Sequence, residues 1–253
     1  MCTSVRKISV VMPVYNELMR VTGAVNAVLA ISQELQRRFG VALELIIVND
    51  GSSDGTKEIV QGLAATSGVL VLPHPLNRGK GAAVRTGFEN ASGEIVVIQD
   101  ADCEYQAATI PELVGPIIAR QADAVYGSRY IRGQRHGSFD QVGHSVLNTL
   151  IWAASGFRLR LTDMETCQKA FRRSFLAQMK LRSNSFTIEP ELTLKLFRAG
   201  AQFTEVGIDY DRRVEGKKVK ILKDGLKAAA AIVYHGVKTF LARRPSDDRR
   251  CAV

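Results

Sequence analysis

In the first half of the chain, short runs of apolar, mostly β-branched residues alternate with longer amphipathic stretches. Ile8 to Val14, Leu43 to Val48, Val69 to Leu72 and Ile95 to Ile98 are almost wholly apolar, as strands buried on both faces must be. Between them Val21, Val25, Val28, Leu29, Leu35 and Phe39 fall near helical spacing, and Gly40 stops that helix. Asp54 to Ser67 and Gly81 to Ala91 read as two more helices. Strands separated by helices must cross over, which gives an α/β fold: a mostly parallel central sheet flanked by helices. A fifth strand, Ala124 to Tyr126, leads into Gly127-Ser128-Arg129. Arg132 to Asp140 reads as a loop, Val142 to Gly156 and Glu191 to Arg198 as helices, and Gln202 to Tyr210 as a late strand. A helix from Lys220 to about Ala242 and a frayed tail from Ser246 to Val253 complete the reading.

A chain of 253 residues that is 46% hydrophobic and 23% charged can bury a large core. No repeat of solenoid or propeller period recurs. The excess of 34 Lys and Arg over 25 Asp and Glu, a formal net charge of +9, gathers late. It includes Arg158, Arg160, Arg172 and Arg173, then Arg212, Arg213, Lys217, Lys218, Lys220, Lys223, Lys227, Lys238, Arg243 and Arg244. A basic half suits an anionic partner, whether nucleic acid, phosphate ester or acidic membrane surface, and equally a solvated face that keeps the protein soluble. Cys2, Cys103, Cys167 and Cys251 are dispersed, with neither a CxxC pair nor zinc-ligand spacing, as in a reduced cytosolic protein. Met1 to Lys7 lacks the pattern of a secretory leader, and the apolar stretch Ala228 to Val237 is about half the roughly 20 residues of a spanning helix. A cytoplasmic protein without a transmembrane segment is expected.

In open α/β sheets ligands bind beyond the carboxyl ends of the strands, and here the loops at those ends are polar. Asp100-Ala101-Asp102 follows an apolar strand directly, where two carboxylates repel and raise each other's pKa unless a cation neutralises them. Mg²⁺ or Mn²⁺, shared with a substrate diphosphate, is the natural partner, a solvated turn the alternative. Asp50, Ser52, Asp54 and Gly55 imitate the start of a calcium loop, but its twelfth position is Gln61 rather than Glu, and a strand precedes it. Asp50 at a strand end can instead accept base N–H donors from a nucleotide, with Ser53 or Asp54 capping the next helix. Asn77-Arg78-Gly79-Lys80-Gly81 has neither P-loop nor dinucleotide spacing, though its glycines admit a ligand closely and Arg78 and Lys80 bring positive charge. Gly-x-Ser-x-Gly and His-Glu-x-x-His patterns are missing, so hydrolysis by an activated nucleophile is disfavoured, and His144 reads as structural.

Taken together, Val11-Met12-Pro13-Val14-Tyr15-Asn16-Glu17, Val48-Asn49-Asp50-Gly51-Ser52-Ser53-Asp54-Gly55-Thr56, Asn77 to Gly81, Asp100-Ala101-Asp102 and Gly127-Ser128-Arg129 resemble a known set. In order and spacing they are similar to the nucleotide-diphospho-sugar half of a family 2 glycosyltransferase of the GT-A fold. Thr162 to Cys167, Phe186 to Leu192, Tyr210 to Arg213, Glu215 to Lys218 and Lys223-Asp224-Gly225 resemble the branch that includes polyprenyl-phosphate (dolichol-phosphate type) mannosyl- and glucosyltransferases.

The resemblance spans residues 6 to 236. It implies a Rossmann-like GT-A domain over 1–245, with a nucleotide-sugar half at 6–130, an acceptor half at 131–215, a basic C-terminal helix at 216–245 and a flexible tail at 246–253. By the same resemblance Pro13, Tyr15, Glu17 and Asp50 hold the nucleoside, Asp50 on the base, with Lys80 among the donor contacts. Asp100 meets the ribose or the metal, and Asp102 holds the divalent ion. Glu104, where several relatives carry Gln, adds a third ligand charge. Arg129 and Arg213 face donor diphosphate and acceptor phosphate, together with Lys217 and Lys218, and a shorter basic motif lets Arg212 replace Arg213.

The implied reaction moves a hexose, with inversion, from UDP-glucose or GDP-mannose to a polyprenyl phosphate. Metal and arginines stabilise the charge that builds on the departing diphosphate. A lipid phosphate is already an anion and needs no general base. A hydroxyl acceptor would need one, for which Glu189, Glu191 or Asp163 could serve, and a third reading is a silent nucleotide-sugar or nucleic-acid binding module. Nucleic acid is not an expected partner of the enzyme. Lys220 to Arg244, with Leu222, Leu226, Ala229, Ala230, Val233, Val237, Phe240 and Leu241, either lies peripherally in a membrane interface or packs on the protein's own core.

Overall fold

The structure, a computed structural model, describes residues 5–133, 138–211 and 221–241. Seven strands, β1 (Lys7–Val14), β2 (Ala42–Asn49), β3 (Leu70–Pro73), β4 (Ile95–Ile98), β5 (Ala124–Ser128), β6 (Lys169–Arg172) and β7 (Phe203–Gly207), form one sheet in the order β3-β2-β1-β4-β6-β5-β7. The first four are mutually parallel, β5 is parallel to β7, and β6 runs antiparallel to both of its neighbours.

Alternate side chains of each strand enter opposite cores. Val10, Met12 and Val14 of β1 join Ile47 of β2 on one face, where α1 (Val21–Ala30), α2 (Ser32–Phe39), α3 (Thr56–Ser67) and α5 (Ile110–Ile118) pack. Val11, Ile46, Val48, Val96 and Ile98 face the other way, onto α4 (Lys80–Asn90), α6 (Ser138–Ala154), α7 (Ile188–Arg198) and α8 (Ile221–Leu241). The β1, β2 and β4 runs are buried on both sides, which is why they carry no polar alternation.

Three expectations are corrected and two elements are added. The stretch 21–39 is two helices, because Ile31 at φ −78°, ψ −7° tightens the turn between them, while Gly40 does end the second in the left-handed conformation. Helix α5 was not assigned from the sequence; it carries Pro111 in its first turn, where the missing N–H costs nothing, and Pro116 further in. Strand β6, Lys-Ala-Phe-Arg, carries a basic residue at each end and shows no strand periodicity. Helix α6 begins at Ser138, inside the expected loop 132–140. The late strand is confined to β7, with Tyr210 in an isolated bridge to Tyr105. Arg212, Arg213, Lys217, Lys218 and the tail 246–253 lie outside the described residues. Among those described, no helix is long and apolar enough to cross a membrane.

Candidate active site at the strand ends

The loops that leave β1 and β2 are tied to each other. Asn16, at φ +50°, receives Ser53 N–H on its side-chain oxygen at 2.9 Å, and its own N–H donates to Ser52 Oγ at 3.0 Å. Leu18 N–H donates to Asp54 Oδ2 and Glu17 N–H to Thr56 Oγ1. Asp54 also accepts Thr56 N–H at 3.1 Å, but the N-cap of α3 is Gly55, with no side-chain cap, rather than the expected Ser53 or Asp54. Pro13 sits in β1 opposite Val48, Tyr15 is half-buried just beyond the strand, and Glu17 is buried with Arg20 at 4.0 Å.

Asp50 organises the next loop. Its Oδ1 accepts from His74 Nδ1 at 2.6 Å and from Arg78 N–H at 3.0 Å, and its Oδ2 from Gly79 N–H at 2.7 Å. The carboxylate therefore holds the turn before α4, a duty the sequence reading did not assign to it. Gly79 is required in that turn: at φ +95°, a Cβ would lie 2.3 Å from the Asn184 carbonyl oxygen.

The turn delivers Lys80 to the end of β4. Lys80 Nζ lies 2.7 Å from Asp100 Oδ2 and 3.4 Å from Glu189 Oε1, over the ring of Phe186. Burial works against this ammonium, yet the charges of Asp100 and Glu189 and its hydrogen bond to Asp100 hold its pKa well above that of an ordinary lysine. Behind it Lys169, fully buried, donates to Glu189 Oε2 and lies over the ring of Tyr126. Glu165 sits beside this pair, its carboxyl raised to about 7 by burial and by the charge of Glu189, against the pull of Lys169.

Asp102 answers to the same charges. Burial and then the charge of Asp100 raise its carboxyl to about 7, although it accepts Glu104 N–H at 3.1 Å. Glu104 Oε2 accepts from the Tyr210 hydroxyl at 2.8 Å, and Glu104 O accepts Asp211 N–H at 2.9 Å.

Arg129, at the end of β5, is buried and held by Asp163. Nε and Nη2 donate to the two Asp163 oxygens at 2.7 Å each, and the Arg129 N–H donates to Oδ2 at 3.0 Å. Glu205 of β7 fixes the partner, accepting Thr162 and Asp163 N–H groups. Arg129 also lies over Tyr210, with its guanidinium carbon 5.3 Å from the ring centre.

A family model described as glycosyl transferase family 2 matches residues 9–183. The chain belongs to that family. Among its curated relatives is the undecaprenyl-phosphate 4-deoxy-4-formamido-L-arabinose transferase of Aeromonas hydrophila, 29% identical over 92% of this chain and 67% of the relative. The protein of the same name from Pseudomonas savastanoi is 30% identical over 84% of this chain and 60% of the relative. The chain thus spans between about half and two-thirds of the length of such relatives. Among solved structures, glucosyl-3-phosphoglycerate synthase of Mycobacterium tuberculosis in complex with Mn²⁺, UDP and glucosyl-3-phosphoglycerate superposes with a TM-score of 0.70 at 21% identity, over 96% of this chain and 82% of the other. Mannosyl-3-phosphoglycerate synthase of Rubrobacter xylanophilus gives 0.67 at 17%, over 96% and 78%. The shared architecture is the GT-A fold.

In this family 2 chain Asp100 and Asp102 suit a divalent cation. Asp100 Oδ1 is buried without a hydrogen-bond partner, and at Asp102 burial and the charge of Asp100 outweigh the pull of Lys80. Among the described residues no three His, Cys, Asp or Glu side chains gather as a ready-made cage. Mg²⁺ and Mn²⁺ commonly take one or two carboxylates and complete their shell with water and substrate phosphate, which fits such a pair. Glu104 is turned toward Tyr210.

Asp163, Lys169, Glu165 and His74 were not foreseen in these positions. A buried Arg129 needs a carboxylate, and that requirement is the one signal that could have found Asp163. His144 Nδ1 is bonded to the Tyr130 hydroxyl.

Proposed function

We propose that this chain transfers a hexose from a nucleoside diphosphate donor, UDP- or GDP-linked, to the phosphate of a polyprenyl lipid. The donor lies across the ends of β1, β2 and β4, between Pro13, Tyr15, Glu17 and Asp50 on the nucleoside side and Lys80, Asp100 and Asp102 on the diphosphate side. A bound Mg²⁺ or Mn²⁺ would offset the charge that grows on the departing diphosphate. Asp100 and Asp102 would hold it, with Glu104 at the edge of the site. Lys80 and the unbonded terminal nitrogen of Arg129 add positive charge from the protein, and burial makes each worth more than it would be in water. Residues 6–130 carry the donor half and 131–215 the acceptor half. Arg212, Arg213, Lys217 and Lys218 supply the remaining phosphate contacts.

One observation carries the choice of acceptor: the carboxylates nominated as bases are all engaged. Asp163 is bidentate with Arg129, Glu189 lies between Lys169 and Lys80, and Glu191 is paired with Lys195 at 2.5 Å. A hydroxyl nucleophile needs a free base to take its proton, whereas a phosphate acceptor is already ionised. Curated relatives named as undecaprenyl-phosphate transferases support the same acceptor. Such an acceptor places the protein peripherally at the cytoplasmic face of a membrane.

The test is incubation with labelled UDP-glucose or GDP-mannose, Mn²⁺ and either polyprenyl phosphate or hydroxyl acceptors. Label should enter the organic phase as an alkali-stable or acid-labile lipid phosphate sugar. Transfer to hydroxyl acceptors alone would overturn the reading.

A further inference from the structure

Helix α8 uses only one of its two apolar faces for the core. Ala228 and Ile232 are buried, and Gly236 closes on Ala154 of α6. Leu226, Val233, Tyr234 and Val237, at the alternate helical spacing, face outward at 67%, 56%, 54% and 54% exposure. An apolar stripe of that size left to solvent marks a surface that something covers.

Beside the stripe, between α7, α8 and the 178–187 segment, lies a cleft of about 840 Å³. Tyr234 and His235 of α8 form one wall, and Lys180, Arg182, Lys195 and Arg198 ring the other, with no Asp or Glu in the lining. Lys195 is partly neutralised by Glu191. Among the described residues the side chains of Lys180, Arg182 and Arg198 make no ion pair. Three uncompensated cations around a concave site call for an anion, and an apolar stripe with a tyrosine at its margin calls for hydrocarbon. A bilayer bearing acidic headgroups offers both in the arrangement found here, phosphate at the cleft and acyl chains under the stripe.

We propose that the cleft and the outward face of α8 form a docking surface for a membrane, the cleft taking the phosphate of an anionic phospholipid headgroup. The proposal rests on the lipid-acceptor reading for its purpose, since such an acceptor must be met at a bilayer, but its geometry is independent of that reading. The surface connects to the donor site through the 180–185 segment. That segment carries Arg182 into the cleft, while its Ser183 and Asn184 carbonyls pack directly on Gly81 and Gly79, on either side of Lys80.

Flotation of the full chain with phosphatidylcholine vesicles, and with vesicles that also contain phosphatidylglycerol, tests the docking. The wild type should favour the anionic vesicles. Lys180→Glu/Arg198→Glu should reduce that binding by roughly tenfold or more, because each nearby cation contributes measurably at an acidic surface. Val233→Ser/Val237→Ser should weaken binding to both compositions. Thermal stabilisation by UDP with Mn²⁺ should be the same in both variants as in the wild type, and Lys180→Gln/Arg198→Gln replaces the reversed pair if that pair fails to fold. Equal binding to both vesicle types, or undiminished binding by the cleft variant, overturns the proposal. So does cleft-dependent binding of nucleic acid without binding of vesicles. If docking behaves as expected while detergent-solubilised polyprenyl phosphate is never glycosylated, the docking surface stands and the acceptor reading falls.

Discussion

Lys80 places its ammonium 2.7 Å from Asp100 Oδ2, so the acidic end of β4 is half-neutralised by the turn that opens α4. The same ammonium reaches Glu189, which Lys169 holds from behind. Two lysines and two carboxylates thus alternate in a buried row beneath the proposed donor diphosphate.

Replacing Lys80 by Met leaves Asp100 buried beside Asp102 with no cation. Breaking a buried pair on one side costs about 3–5 kcal/mol, read as a lower urea midpoint at unchanged slope. Mn²⁺ should stabilise this variant more than the wild type, because the ion supplies the missing charge.

Asp102→Asn should reduce transfer by about a thousandfold or more while leaving the fold intact, measured as turnover beside thermal unfolding. In the metal-free wild type the Asp102 carboxyl sits at about 7. Protons therefore compete with the cation as pH falls through that value, and titration with Mn²⁺ should show weaker affinity at pH 6 than at pH 8.

Glu165 gives a stability signature. Its carboxyl is raised to about 7 from 4.5, so between those values the folded chain binds more protons than the unfolded one, and stability falls as pH rises. Glu165→Gln should remove this dependence and raise stability at pH 8 by up to about 3 kcal/mol, a limit set by the size of the shift. An unchanged pH profile of the unfolding midpoint would show that Glu165 does not titrate there.

Asp163→Asn should destabilise by about 3–5 kcal/mol, because Arg129 then stays buried without its charge partner. The double variant Arg129→Met/Asp163→Leu should recover much of that stability but no transfer, which separates the guanidinium's part in chemistry from its part in packing.

The first half of the fold was legible because its physics is local. A run such as Ile95 to Ile98, buried on both faces, has no alternative to a central strand, and a polar cluster directly after it lands at the strand's carboxyl end. The second half was legible only in pieces. β6 is polar in composition and takes its conformation from pairing with β4 and β5, far away in sequence. Asp163 and Lys169 look like surface residues until Arg129 and Glu189 are placed against them. The pairing of the nominated bases was hidden for the same reason: a carboxylate's partners depend on what long-range packing brings to it. Glu104 and Tyr210 likewise meet only through the Tyr105–Tyr210 bridge.

The place of β6 has a consequence for biosynthesis. β5 hydrogen-bonds to β6 and β7 alone, both of which follow it in the chain. On the ribosome the four parallel strands can assemble as they emerge, but β5 must wait, and β4 offers a bare edge until residues 169–172 arrive to cap it. That interval is when a nascent chain of this kind is most open to sticking to its neighbours.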